Sequence, residues 1–280
     1  MNIIRKLNLR FSYLIRRIPS LVSARFYLVM KALLSLPSTV LRIAPKRLRA
    51  LILAWYPTGR VIFRASIALK RLSSLFGELD QRVIEYPWVI ESLSMVPKRS
   101  LILDVGCTET LLSHELIAKG FRVVGIDIRD HPFKDKRMVF LKRNVLDTRL
   151  PDNTFDAIVV VSTIEHIGLE SYGQTVKDAD GDLKAMNELK RILKPQGIII
   201  LTTPYIGGGP LRVNPFQREY DRQRLHELTK SLKVIRADYF YPLRRGKHAR
   251  WLRLSKEEMD KQTFNAEAGI ACLVLRKDDY

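Results

Sequence analysis

A short apolar strand, Leu101-Ile102-Leu103, runs into Asp104-Val105-Gly106-Cys107-Thr108-Glu109-Thr110, and a helical pattern follows at once. Glycine in such a strand-to-helix turn lets the backbone approach a ligand while free helix N–H groups face it. This is how open α/β folds hold nucleotide-like groups. Asp127 lies 21 residues beyond Gly106, at the end of the next apolar run. Such folds set a carboxylate against ribose hydroxyls at that place. A dinucleotide turn of the Gly-x-Gly-x-x-Gly type would need glycine where Thr108 and Leu111 stand, so a tight pyrophosphate turn is disfavoured.

A second pair of chemically capable residues, Glu165-His166, follows the apolar run 155–162. An imidazole titrating near neutral pH can take a proton from a nucleophile. His166 is therefore a candidate general base, with Glu165 either its partner or simply an acid in the first turn of a helix. The five histidines and two cysteines show no metal-ligand spacing, so no metal site is expected. Cys107 and Cys272 sit in apolar runs and suggest no disulfide framework, which points to a reducing, cytoplasmic compartment.

These residues need a scaffold, and the chain alternates strand and helix in the way that supplies one. Strands are expected at 100–105, 122–126, 138–141, 155–162, 197–202, 233–239 and 270–276, with helices over 111–119, 181–193 and 221–231. Apolar strands alternating with helices imply an α/β domain with a doubly wound, mostly parallel, seven-stranded Rossmann-like sheet over residues 80–280. Tyr86 and Trp88 precede it as core aromatics or as a cap on the ligand pocket. Tyr205 and Gly207-Gly208-Gly209 look like an acceptor loop at the carboxyl edge. The stretch 244–253 reads as an anion-receiving segment or a solvated insertion.

The net charge of +19 is concentrated in front of that domain. Residues 1–76 carry 15 of the 48 Lys and Arg and no acid, leaving 33 bases against 29 acids for the rest. Residues 1–79 read as a basic, amphipathic helical extension punctuated by Pro19, Pro37, Pro45 and Pro57. Its apolar faces suit an anionic membrane surface, to which the chain would then be peripheral, or packing against the domain or a second subunit. An organellar transit peptide is a third, less favoured reading. Lys31 and Pro37 interrupt the longest apolar run, so no spanning helix is expected. Nucleic acid would attract the same charges.

Beyond these separate features, about 200 residues resemble the class I S-adenosylmethionine-dependent methyltransferases. ILDVGC is similar to the first half of the family's motif I, with Thr108 and Thr110 in place of later glycines. VVGIDIRD resembles the second strand with its ribose-binding acid, LKRNVLDTRLPDNTFDAIVVVSTIEHI the third and fourth strands, and ELKRILKPQGIIILTTPY the helix and fifth strand. REYDRQRL is similar to a segment of members that act on small molecules or glycans. The resemblance implies S-adenosylmethionine as cofactor, with Asp104, Gly106 and Cys107 at its amino-acid end and Asp127 and Ile128 at the ribose. Asn144 takes the place of the family's adenine-contacting acid, with the Val145 backbone or Asp147 as substitutes. Ser162 to His166 would face the transferred methyl group. The implied reaction is methylation of an oxygen or nitrogen of a small molecule, saccharide or lipid-linked glycan. The alternatives are a nucleic-acid methyltransferase or a catalytically silent membrane or assembly factor on the same scaffold. STIEH after the fourth strand disfavours the first, since enzymes that methylate amino groups of nucleic acids carry Asn-Pro-Pro-Tyr there.

Overall fold

The structure, a computed structural model, describes residues 80–131, 136–174, 177–245, 248–262 and 267–278. The basic extension expected over residues 1–79 lies outside them, apart from its boundary with the domain. Five strands pair in parallel: β1 (Leu101–Val105), β2 (Arg122–Asp127), β3 (Met138–Lys142), β4 (Phe155–Val161) and β5 (Leu193–Gly207). Three more run antiparallel at one side: β8 (Lys233–Arg245), β9 (His248–Leu254) and β10 (Gly269–Arg276). The order is β3-β2-β1-β4-β5-β10-β8-β9, and a short ribbon of β6 (Arg212–Val213) and β7 (Arg218–Asp221) pairs onto β5. All seven expected strands are present in a mostly parallel sheet. β9 is an eighth strand on the same path, so the 244–253 stretch is a hairpin arm and not a solvated insertion.

The strands are covered on both faces, as continuous apolar runs require. One core gathers Leu103, Ile158, Val160, Met186, Leu189 and Leu201 under α3 (Gly181–Ile192). The other gathers Trp88, Val89, Leu112, Leu116, Val159 and Val274 under α1 (Arg82–Ser92) and α2 (Leu112–Ala118). Tyr86 and Trp88 are core residues of α1, a helix that carries Pro87 within it. Trp88 Nε1 donates to Asp238 Oδ2 at 2.6 Å, tying this N-terminal helix to β8. Asp221 caps α4 (Arg222–Thr229) by accepting from the Arg224 N–H at 2.7 Å, the role its residue type suggests.

β5 is far longer than the segment 197–202 because its two ends pair with other parts of the chain. The Leu193-Lys194-Pro195-Gln196-Gly197 turn shifts the register against β4, from Phe155 opposite Leu193 to Ala157 opposite Ile198, with Gln196 in the left-handed region (φ 59°) and its N–H bonded to the Lys277 carbonyl at 2.9 Å. At the other end Gly207 and Gly208 pack on α5 (Lys256–Asp260): a Cβ on Gly207 would lie 2.7 Å from the Met259 carbonyl oxygen, and one on Gly208 2.7 Å from that of Asp260. Among the described residues, no helix is long and apolar enough to cross a membrane.

Candidate active site

The carboxyl ends of β1, β2 and β4 open into one pocket. Its first wall is the turn after β1. Gly106 adopts φ 74°, which a residue with a Cβ takes only under strain, and its N–H bonds the Ile126 carbonyl at 2.9 Å. A Cβ there would stand 2.5 Å from Thr163 Oγ1, so the position is closed to anything larger than glycine. Thr163 cannot easily yield, because its hydroxyl lies 3.0 Å from the Val161 carbonyl and 3.2 Å from that of Val105.

Asp127, at the end of β2, is the acidic group of this wall. Its Oδ1 accepts from the Arg129 backbone N–H at 2.9 Å and Arg129 Nε at 3.2 Å. Its Oδ2 accepts from Thr108 Oγ1 at 2.7 Å, and from the Thr108 N–H and an Arg129 Nη2–H at 3.3 Å each. Burial pushes this carboxyl up, but the bonds from Arg129 and Thr108 together outweigh it and hold the group below its ordinary value. Asp127 is therefore an anion at neutral pH. Ile128, Asn144 and Val145 line the same end. Asn144 Oδ1 accepts from the Leu146 N–H at 3.0 Å, while Asp147 pairs outside the pocket with Arg149 at 3.1 Å and is no substitute for it.

The opposite wall follows β4. Ser162, in the left-handed region at φ 41°, donates to the buried Glu85 at 2.5 Å, and Glu85 also accepts from Thr202 Oγ1 and Arg82. His166 lines the pocket and sits 2.7 Å through Nδ1 from the Phe216 carbonyl oxygen. A carbonyl only accepts, so Nδ1 carries the proton and Nε2 keeps its lone pair. Burial lowers the imidazole's proton affinity more than the Phe216 carbonyl restores it, so the ring is neutral at pH 7. Its ring is edge-on to Tyr172 at 4.9 Å and to Phe216 at 4.7 Å.

Seven of the ten residues read from the sequence therefore come together here: Gly106, Asp127, Ile128, Asn144, Val145, Ser162 and His166. Three do not reach the pocket. Asp104 lies behind it, accepting from Ser113 Oγ at 2.5 Å, and burial with the nearby Asp127 charge pushes it up to about 7 against the Ser113 bond. Cys107 is buried with Sγ 3.9 Å from the Ile126 carbonyl oxygen, and burial raises its thiol well above the ordinary range. Glu165 is buried beside His166, with Oε1 3.8 Å from Nε2. Burial and the neighbouring Glu85 push it up to about 8, so it is a neutral acid at pH 7 and cannot draw a proton charge onto His166.

The sequence reading missed Arg82, Glu109, Arg129, Tyr172 and Gln174, which also line the pocket, as does Thr163 from the 162–166 stretch. Arg82 lies on α1 with Nη1 2.6 Å from Glu85 Oε2. Arg129 follows two residues after Asp127, which is the signal that could have found it. No local signal marks Tyr172 or Gln174, because a distant residue holds their loop. Fully buried Arg218 on β7 donates to the carbonyls of Ile167 at 2.6 Å and of Asp178 and Ala179 at 3.0 Å each. The expected acceptor loop at Tyr205 and Gly207–Gly209 faces elsewhere. Tyr205 is fully buried, its hydroxyl donating to Asp260, and the glycines border a separate opening with Arg222 and His226.

Comparison with known proteins agrees with this architecture. Residues 103–201 match the family model described as a methyltransferase domain. An uncharacterized protein of Methanocaldococcus jannaschii is 28% identical over 121 residues, covering 40% of this chain and 47% of its own length. The chain thus spans about half the length of that relative. The ubiquinone biosynthesis O-methyltransferase of Dechloromonas aromatica is 23% identical over 199 residues, covering 66% of this chain and 77% of that protein. The 1,6-didemethyltoxoflavin-N1-methyltransferase of Burkholderia thailandensis shares the fold, with a TM-score of 0.51 at 15% identity over 77% of this chain and 89% of its own. The left-handed glycine that follows β1 and the ionised carboxylate at the end of β2 both lie inside the span that the domain model matches, so residues 103–201 carry a methyltransferase domain.

Proposed function

We propose that this protein transfers the methyl group of S-adenosylmethionine to an oxygen or nitrogen atom of a small-molecule, saccharide or lipid-linked glycan acceptor. The observation that carries the reading is one pocket holding both a ribose-type carboxylate, Asp127, and a neutral imidazole with a free lone pair, His166. When bound, the cofactor supplies a sulfonium methyl that leaves with the sulfur keeping the bonding electrons. Asp127 and the Gly106 turn would hold its ribose and its amino-acid end. Arg82, one-quarter exposed at the same end, offers its remaining N–H groups to a carboxylate. Ile128 and Val145 supply apolar contact for a flat base, and Asn144 offers its amide.

The chain's own chemistry is then alignment and proton removal. His166 Nε2 accepts the proton of the attacking hydroxyl or amine as its lone pair forms the new bond to carbon. Glu165, neutral and buried with Oε1 3.8 Å from Nε2, acts as a positioning residue and not as a second base. Residues 1–79 complete the proposal: their 15 bases before residue 77, without one acid, would bring the domain to an anionic membrane surface where a lipid-linked acceptor is found.

Calorimetric titration with S-adenosylmethionine and its demethylated product S-adenosylhomocysteine tests the first part. Ligand at a hundredfold over its dissociation constant should stabilise the fold by about 2.7 kcal/mol, and the Asp127→Ala variant should bind at least tenfold more weakly. No heat and no melting shift at millimolar ligand would sink the enzyme reading. Flotation of the full chain with anionic vesicles, with transfer RNA as competitor, tests the second. A chain that stays with the RNA in low salt would replace the membrane with nucleic acid.

A further inference from the structure

The Asp127 carboxylate already has more donors than it can hold well. Five N–H or O–H groups from Thr108 and Arg129 lie within 3.3 Å of its two oxygens, and an ionised carboxylate offers about four lone-pair positions. Two ribose hydroxyls cannot be added to that set. The two backbone N–H groups are fixed by the fold and the Thr108 hydroxyl sits on the turn itself, which leaves the Arg129 guanidinium as the group that must give way.

Arg129 has somewhere to go. Its Nη1 already lies 2.5 Å from Glu109 Oε1 at the pocket rim, and its guanidinium carbon stands 4.4 Å over the Tyr172 ring. Tyr172 in turn meets His166 edge-on, and His166 is held by the Phe216 carbonyl. A contiguous row of groups therefore joins the ribose carboxylate to the candidate base: Asp127, Arg129, Tyr172, His166. Tyr172 sits in the left-handed region (φ 56°, ψ 22°) next to Gly173, also at positive φ (82°).

We propose that Arg129 is a competitor for Asp127 that cofactor binding displaces onto Glu109 and Tyr172, and that Tyr172 is the positioning residue that carries this displacement to His166. The base side would thus register whether the cofactor is in place before an acceptor arrives. The inference rests on the reading of Asp127 as the ribose acceptor and deepens it. The opposite assignment, Arg129 as a direct ligand of the cofactor, makes contrary predictions.

The test uses the full chain and S-adenosylhomocysteine, followed by calorimetry and by NMR of ring-labelled histidine. Arg129→Gln should bind about tenfold more tightly than the natural chain, with affinity less dependent on salt, because the competing cation is gone. Asp127→Ala should bind more weakly. Adding the ligand to the natural chain should shift the His166 ring signals. In Tyr172→Leu the ligand should still bind within about threefold while those signals stay where they are. Weaker or unchanged binding by Arg129→Gln overturns the displacement, and a full His166 shift in Tyr172→Leu overturns the relay. Unaltered binding by Asp127→Ala overturns instead the ribose reading beneath both. Tyr172→Phe, which keeps the ring, should restore the His166 response, and its failure to do so would also overturn the relay.

Discussion

The two walls of the pocket are built in different ways. On the cofactor side each group stands within about twenty residues of its support: Gly106 bonds the adjacent strand, and Asp127 takes its donors from Thr108, 19 residues back, and Arg129, two residues on. On the base side the supports come from far along the chain. His166 is oriented by a carbonyl 50 residues on, and the loop with Tyr172 and Gln174 hangs from Arg218, 51 residues from the Ile167 carbonyl it holds. The first wall follows from the strand-turn-helix unit itself, so any chain with this sheet can form it. The second requires the β6–β7 ribbon to dock, and is the part that can change between relatives without disturbing the first.

The sharpest way to break that contrast is Arg218→Met. It removes a buried guanidinium and leaves three loop carbonyls short of a donor, a loss of about 3 kcal/mol or more, read as a lower denaturation midpoint. Affinity for S-adenosylhomocysteine should stay within a few-fold while the Nδ1-protonated signature of His166 is lost. If cofactor binding collapses as well, the walls are not independent. Gly106→Ala attacks the other side. Left-handed strain costs about 1–2 kcal/mol, the contact with Thr163 adds to it, and here cofactor affinity should fall while the His166 signature survives.

A smaller effect sharpens the electrostatics. Glu165 titrates at about 8 in the fold against an ordinary 4.5, so between these values the folded chain keeps a proton that the unfolded chain has lost. Its contribution is complete below about pH 4.5 and is lost as pH rises through 8. Asp104, at about 7, adds a similar slope at somewhat lower pH. Glu165→Gln should therefore flatten the fall in stability between pH 5 and 9, matching the natural chain at the acid end and exceeding it at the alkaline end. Parallel stability curves for the two chains would show that Glu165 is ionised in the fold.

The same contrast explains what could be read from the sequence. Asp104, Gly106 and Asp127 were legible as a group because strand period and turn chemistry are local, even though Asp104 then proved to brace the turn from behind. Seven strands were legible for the same reason. β9 was not: the charged run His248-Ala249-Arg250-Trp251-Leu252-Arg253 does not alternate, and it is held as a strand by pairing with β8. Arg82 was hidden because its helix contains Pro87, which argues against a helix in sequence but is tolerated inside one anchored by Trp88 to Asp238. Tyr172 could not be found at all, since its place depends on Arg218.

β9 has one more consequence. Among the described residues it ends the sheet's path, and a terminal strand is a template on which another chain can pair and aggregate. Here that strand carries Arg250 and Arg253 into solvent, and Arg253 is pinned to Asp238. Two like chains meeting along this edge would bring those cations together, so the hairpin arm that lengthens the sheet also guards it against growing by self-association.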